Sequence, residues 1–222
     1  MKKLLALLLA AMVGIMLAAC DNTKPEEEVS PTDVITGGWT TPDSPVVSNE
    51  VKDVLAKATE KLTGATYTPV AYLGSQVVAG TNHRILCTMK PATKKAKKTY
   101  AIVTVYEDLE GNAEITEILN SKAEVKVTKE VTDGGWIAPE TPEVTQEAGE
   151  ALLAATKNTA KGSFNPVALL GTQVVAGTNY CMLCEITPID ENAETYFAVV
   201  TVYQGADKTT SVLETIDFTA AE

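Results

Sequence analysis

The chain has 222 residues, of which 45% are hydrophobic, and it carries a formal net charge of −11 at pH 7. This length allows one large domain or two small ones, and the hydrophobic share is ordinary for a globular protein. The acidic balance favours solubility and argues against binding to nucleic acid, which requires a basic surface.

The N-terminus has the organisation of an export signal. Lys2 and Lys3 precede an uncharged, Leu- and Ala-rich run from Leu4 to Ala19, which is short for a membrane span and typical of a signal peptide. Small residues stand directly before Cys20, as in the bacterial lipobox, and this resemblance implies cleavage before Cys20 and lipid attachment to it. We therefore expect a signal peptide over 1–19 and an exported, membrane-anchored protein that faces the periplasm or the cell exterior. The alternative is an ordinary signal peptide in which the cysteine is accidental.

The segment that follows the cysteine is polar and unsuited to a folded core. Residues 20–32 contain two prolines and the acidic run Glu26–Glu28. Such a composition favours a flexible tether between the anchor and the rest of the chain.

The remainder of the chain is a tandem repeat. The heptapeptide Gln-Val-Val-Ala-Gly-Thr-Asn occupies Gln76–Asn82 and recurs letter for letter at Gln173–Asn179, and a Gly-Gly-Trp triplet precedes each copy. The repeat predicts one domain over 33–122 and a second over 133–222, joined by a linker over 123–132.

A helix is predicted near the start of each repeat. Ser48 and Thr145 are suitable N-caps, and each is followed by apolar residues at three- and four-residue spacing. These residues are Val51, Val54, Leu55, Ala58 and Leu62 in the first repeat, and Ala148, Ala151, Leu152 and Ala155 in the second. Each apolar stripe predicts a helix with one buried face.

Four extended segments follow each helix. Apolar, β-branched runs separated by turn residues predict strands over 67–78, 81–90, 100–106 and 115–119, and over 164–175, 178–187, 196–203 and 210–216. The sequence therefore predicts an α+β fold of two domains, each with one N-terminal helix packed across a four- to five-stranded antiparallel sheet. The heptapeptide falls at the tip of the first hairpin in each domain, where at least one apolar side chain must face water. An exposed apolar tip is a candidate contact surface, and the plainer alternative is a strand with its turn.

Three cysteines follow Cys20. Cys87 and Cys184 occupy equivalent positions in the two repeats and are expected to be small core residues. Cys181 and Cys184 form a C-x-x-C sequence, but in a strand residues three apart point to opposite faces, and no second pair completes a metal site. We therefore expect no metal site, and we expect Cys181 to be a free thiol that faces solvent.

The order of Gly-Gly, helix, strand, Gln-Val-Val-Ala-Gly, two strands, a second loop and a last strand resembles the cystatin family, most closely its stefin type. Stefins also begin near a Gly-Gly pair, carry Gln-Val-Val-Ala-Gly-Thr-Asn in the first hairpin and lack disulfides. The likeness covers about residues 33–120 and 133–218. It implies two cystatin-like domains and reversible, competitive inhibition of papain-like cysteine proteases, with no cofactor.

In this family the segment around the N-terminal glycine, the first hairpin and the second hairpin form a wedge that enters the protease active-site cleft. The matching positions of the first repeat are Gly37, Gly38, Gln76, Val77, Val78, Ala79, Gly80, Leu109, Glu110 and Gly111. Those of the second repeat are Gly134, Gly135, Gln173, Val174, Val175, Ala176 and Gly177. The glycine pair would allow Ile35 and Thr36 to lie along the substrate subsites and the chain then to turn away.

The two repeats depart from the family pattern to different degrees. The second loop of stefins is similar to Leu-Pro-Gly, and the first repeat keeps Leu109 and Gly111 around Glu110, whereas the second repeat has only Gln204–Ala206 in a shorter loop. Asp133 also precedes the second glycine pair, and a carboxylate is costly to bury in an apolar subsite. We expect the first repeat to be the stronger inhibitor and the second to be weak, differently selective or structural.

The sequence also bears on two functions other than inhibition. An enzyme is not expected, because the lone His83 aligns with Tyr180 and no phosphate-binding loop or carboxylate pair stands out. A binding or adhesion module that keeps the fold but captures a non-protease ligand is the alternative.

Overall fold

A computed structural model describes residues 37–128, 133–190 and 192–220, all within one compact unit that spans Val34–Glu222. The predicted signal peptide, Cys20, the tether, residues 35–36 and residues 129–132 of the linker lie outside the described residues. No helix in the described ranges is both long and apolar enough to cross a membrane.

The two halves of the chain have the same order of elements. The first half comprises β1 (Trp39–Thr40), α1 (Asn49–Thr59), β2 (Ala65–Val78), β3 (Gly80–Pro91), β4 (Thr99–Glu107) and β5 (Ala113–Glu124). The second half comprises β6 (Trp136–Ile137), α2 (Gln146–Thr156), β7 (Ser163–Val175), β8 (Gly177–Thr187), β9 (Tyr196–Gly205) and β10 (Thr210–Ala220). Both helices start at the predicted caps, because the hydroxyls of Ser48 and Thr145 accept hydrogen bonds from backbone amides three residues later.

The predicted α+β fold of two cystatin-like domains is wrong, because the described chain is mostly β and its strands form one sheet. The ten strands are ordered β1-β2-β3-β4-β5-β10-β9-β8-β7-β6, and the named strand pairs are antiparallel. The halves join where β5 pairs with β10, in the register Ser121 with Phe218, Asn120 with Thr219 and Leu119 with Ala220. The last strand of each half therefore gains a hydrogen-bonded neighbour from the other half.

Both faces of each half-sheet are buried. One face of the first half packs under α1 through Ile85, Cys87, Val103 and Val105. The other face meets the second half in a shared core, and α2 covers the far side of that half. Strand β4 is therefore mostly apolar. In a strand that is buried on both faces, polar and apolar residues do not need to alternate.

The shared core also corrects the expectation for Cys181. As predicted, Cys181 and Cys184 lie on opposite faces of β8, but Cys181 points into the shared core and Cys184 toward the α2 side. Both thiols are buried, and burial raises the pKa of Cys181 to about 11 and that of Cys184 to about 12. The prediction of a solvent-facing thiol was wrong because it assumed an uncovered sheet face.

The junction between the halves fixes the direction of the hairpins. Strand β5 starts at the turn of the first half and β10 starts at the turn of the second, and these two strands run antiparallel through residues near their C-terminal ends. The two sets of turns therefore lie at opposite ends of the sheet.

Candidate binding edges

Three turns of the first half meet at one end of the sheet, and we call them the first edge. They are the glycine pair Gly37–Gly38, the β2–β3 turn within Gln76–Gly80, and the β4–β5 turn over 108–112. The β2–β3 and β4–β5 turns lie beside each other, because Thr81 of β3 pairs with Glu107 of β4. The glycine pair is attached to the hairpin by the Gly37 amide, which donates to the Val77 carbonyl oxygen at 3.2 Å. The structure thus brings together the three segments named from the sequence.

The equivalent turns of the second half form the second edge at the opposite end of the sheet. They are Gly134–Gly135, the β7–β8 turn within Gln173–Gly177, and the β9–β10 turn over 205–209. Thr178 pairs with Gln204, so the two hairpin turns are again neighbours.

The polar side chains of the heptapeptide hold the glycine segment against the hairpin. Gln76 Nε2 donates to the Gly37 carbonyl oxygen at 2.9 Å, and Asn82 Nδ2 donates to Gln76 Oε1 at 2.8 Å. In the second half Gln173 donates to the Gly134 carbonyl at 2.7 Å and Asn179 donates to Gln173 at 2.8 Å. The matched pairs explain why Gln and Asn recur in both copies.

The glycine at each hairpin turn is required by close backbone contact. Gly80 has φ +134°, and a Cβ placed on it would lie 2.4 Å from the Glu107 carbonyl oxygen. Gly177 has φ +139°, and its Cβ would lie 2.3 Å from the Gln204 carbonyl oxygen. Any side chain there would force the hairpin away from the neighbouring strand, and L-residues rarely adopt this φ.

Two tyrosines that the sequence analysis did not single out complete the turns. Tyr106 Oη donates to the Ala79 carbonyl oxygen at 2.5 Å, and Tyr203 Oη donates to the Ala176 carbonyl oxygen at 2.6 Å. The carbonyl oxygens of Ala79 and Ala176 therefore accept hydrogen bonds from within the protein. Each tyrosine ends the apolar run of its strand at the same place in both repeats, but nothing in the sequence indicates its partner.

The hairpin tips present apolar side chains to solvent. Val77 and Val78 are 40% and 41% exposed, and their counterparts Val174 and Val175 are also exposed. Because the surrounding backbone is fixed by hydrogen bonds, these side chains form a preorganised contact surface.

The second loop of the first edge is held by hydrogen bonds and exposes an apolar residue. The Asp108 carboxylate accepts hydrogen bonds from the Glu110 amide at 2.9 Å and from the amide and side chain of Asn112 at 2.9 and 2.8 Å. These bonds, chiefly those from Asn112, lower the pKa of Asp108. Lys57 Nζ donates to the Gly111 carbonyl at 3.0 Å. Leu109 projects from this loop with 86% of its surface exposed, beside the exposed Glu110.

The second loop of the second edge is polar. The Asp207 carboxylate accepts hydrogen bonds from Thr209 Oγ1 at 2.6 Å and from the Thr209 amide at 3.1 Å, and these bonds lower the pKa of Asp207. Lys208 adopts φ +66°, and Ala206 is exposed in place of a large apolar residue. Asp133 is exposed beside Gly134. The second edge therefore has the same hairpin as the first but no large exposed apolar residue in its second loop.

His83 lies close behind the first edge and has no counterpart in the second half. Its Nδ1 is 3.1 Å from Tyr72 Oη, and its Nε2 is 3.5 Å from Glu107 Oε2. Burial lowers the pKa of His83, and Glu107 partly counteracts that shift. Across the described residues there is no group of three or more His, Cys, Asp or Glu side chains arranged to hold a metal ion.

The chain was compared with known proteins. No protein-family model matches it, and a search of curated proteins finds no similar sequence.

Proposed function

We propose that this protein is a reversible, competitive inhibitor of papain-like cysteine proteases and that it binds them through the first edge. The observation that carries the proposal is the meeting of Gly37–Gly38, the 76–80 hairpin and the 108–112 loop at one end of the sheet. These are the three segments that the likeness to the cystatin family would place in a protease cleft. The proposal concerns the edge alone and does not depend on a two-domain fold.

The chemistry of the first edge suits an apolar cleft. Val77, Val78 and Leu109 offer exposed apolar side chains, and the turns that carry them are held by side-chain hydrogen bonds. Apolar groups that are already fixed lose little conformational entropy on binding. We therefore expect shape complementarity to dominate the affinity. The Gly37 carbonyl is occupied by Gln76, which keeps the glycine segment against the hairpin instead of extending it through the cleft as a substrate.

The direct test is titration of papain with the full chain purified in detergent. We expect activity to be lost, and Gly80→Val to weaken inhibition by about a hundredfold or more, since the clash and the positive φ displace the tip. Gly177→Val should matter less. Gly64→Val is the matched control, because a Cβ on Gly64 would have no atom within 4 Å. Unchanged papain activity at micromolar chain would overturn the proposal and favour a module that binds a non-protease ligand.

The placement of the edges predicts the stoichiometry. Because the first and second edges lie at opposite ends of the sheet, a protease on one edge does not block the other. Native mass spectrometry with a papain variant lacking its catalytic cysteine should show complexes with one protease at low protease concentration and with two at high concentration. Loss of the larger complex in Gly177→Val would assign the second molecule to the second edge.

We also propose that Cys20 anchors the protein to a membrane outside the cytoplasm. A single acyl chain binds membranes reversibly, so a lipobox cysteine with several chains is suited to stable attachment. Cys20→Ser should move the protein from the membrane fraction to the soluble fraction, and recovery of that variant in membranes would contradict the anchor.

A further inference from the structure

Arg84 lies between aromatic side chains from the two halves of the chain. Its Cζ is 3.8 Å from the centroid of the Trp39 ring and 5.8 Å from that of the Phe197 ring. Trp39 belongs to β1 at the first edge, whereas Phe197 belongs to β9 of the second half. Guanidinium groups are planar and weakly hydrated, so they stack on aromatic faces more often than ammonium groups do.

The Arg84 side chain is not fully hydrogen-bonded, and carboxylates from both halves interact with its charge. Within the described residues, the buried Nε of Arg84 has no hydrogen-bond partner. Burial lowers the pKa of Arg84, while Glu117 and, from the second half, Glu185 raise it. An arginine keeps its charge at neutral pH under such conditions. Carboxylates from both halves thus favour the charged form of the guanidinium, which lies between rings of the two halves.

Trp39 links this position to the first edge. It directly follows Gly37–Gly38, and it pairs with Gln76, the residue whose side chain holds the Gly37 carbonyl. Strand β1 has only two residues, Trp39 and Thr40, which is too short to be stable without support from side chains. A fixed Trp39 ring therefore restrains the glycine segment.

The second half lacks this arrangement. Cys181 occupies the position that matches Arg84, and it is buried in the shared core. Trp136, which matches Trp39, packs against that core with Lys126 Nζ 5.6 Å from its ring centroid. The stacked arginine is a property of the first edge.

We infer that Arg84 is a positioning residue for the first edge: by stacking between Trp39 and Phe197 it braces the glycine segment against the second half of the protein. The expected effect of Arg84 on protease binding rests on the proposed function. Its expected effect on the glycine segment rests on the structure alone.

The test compares Arg84→Met with Lys90→Met in the full chain. Lys90 is an exposed residue of the same strand, so its variant controls for the loss of one positive charge. The first readout is hydrogen exchange of the Gly37 amide, which donates to Val77. We expect exchange about three- to tenfold faster in Arg84→Met, the range that a stacking contact supplies. The Leu169 amide, bonded to the Pro142 carbonyl in the second half, should be unchanged.

The second readout is papain inhibition, which should weaken by a similar factor in Arg84→Met only. Trp39→Leu removes the same stacking contact. Because Trp39 is partly exposed, this variant is expected to fold, and it provides the test if Arg84→Met does not fold. Where both fold, their effects should be non-additive in the double variant, because both remove one contact.

The outcomes separate the two proposals. Gly37 exchange within twofold of the Lys90→Met value would overturn the positioning role. Faster exchange with unchanged inhibition would overturn the claim that this restraint serves protease binding. If the unaltered chain does not inhibit papain, the proposed function fails, and the exchange rates still decide whether Arg84 braces the edge.

Discussion

The two halves of the sheet share the middle of the candidate edge and differ in its flanks. Both keep the Gln–Asn hydrogen bonds, the tyrosine at the turn and a glycine with positive φ. The first half adds the exposed Leu109 and the stacked Arg84, whereas the second half has Ala206 and Cys181 at those places. The two copies of the heptapeptide therefore form the same hairpin, while the residues around it determine which side chains are exposed beside that hairpin.

The largest expected effect tests whether the halves behave as one folding unit. Leu86 and Leu183 occupy matching positions, and both are fully buried in the shared core. Leu86→Ala and Leu183→Ala should each lower the free energy of unfolding by about 2–5 kcal/mol, because each leaves a cavity between the halves. Urea unfolding followed by circular dichroism should show one cooperative transition for both variants. Two transitions, of which each variant shifts only one, would show that the halves are independent.

The next effect sharpens the difference between the edges. Leu109→Ala should weaken papain inhibition about tenfold, since a central apolar contact in a protein interface contributes on this scale. It should leave thermal stability unchanged because the side chain is exposed in the unbound protein. Leu153→Ala is the control, since Leu153 is also exposed but lies on α2. Equal inhibition by Leu109→Ala and the unaltered chain would show that the second loop does not contact the protease.

A smaller effect tests what the edges have in common. Tyr106→Phe and Tyr203→Phe each remove a hydrogen bond to a turn carbonyl. Each should cost about 1 kcal/mol of local stability, measured by hydrogen exchange in the adjacent hairpin. The two losses should be similar, because the two turns have the same geometry. A loss at only one edge would show that the turns are not equivalent in solution.

The smallest effect concerns acid pH. Hydrogen bonds lower the pKa of Asp108 below 3.8, so the ionised carboxylate is favoured in the folded loop. The resulting stabilisation is present above the unfolded-state pKa of about 4 and is lost as the pH falls through the lowered value. The amide resonance of Glu110, which donates to Asp108, should shift over this range, and Asp108→Asn should abolish the shift. A midpoint at or above pH 4 would contradict the hydrogen-bonded loop.

Local patterns in the sequence located the hairpins and the helices, whereas the resemblance to the cystatin family pointed to the glycine pairs and the second loop. The turns at Gly80 and Gly177 were predicted from an apolar run that ends in glycine, and the two caps Ser48 and Thr145 from residue type alone. The tyrosines at the turns and the stacked arginine were not predicted. Their partners are distant in sequence, and no local spacing identifies such contacts.

The sequence by itself determined the hairpins, the helices and the difference between the two second loops, because each depends on residues close together in the chain. Tertiary structure decided the fold class. The last strands were predicted to end at Leu119 and Ile216, but β5 continues to Glu124 and β10 to Ala220. Residues 119–121 pair with residues 218–220, and it is this pairing that joins the two halves. Strand formation there depends on a partner from the other half, since β-propensity follows context, and no pattern within either segment specifies that partner.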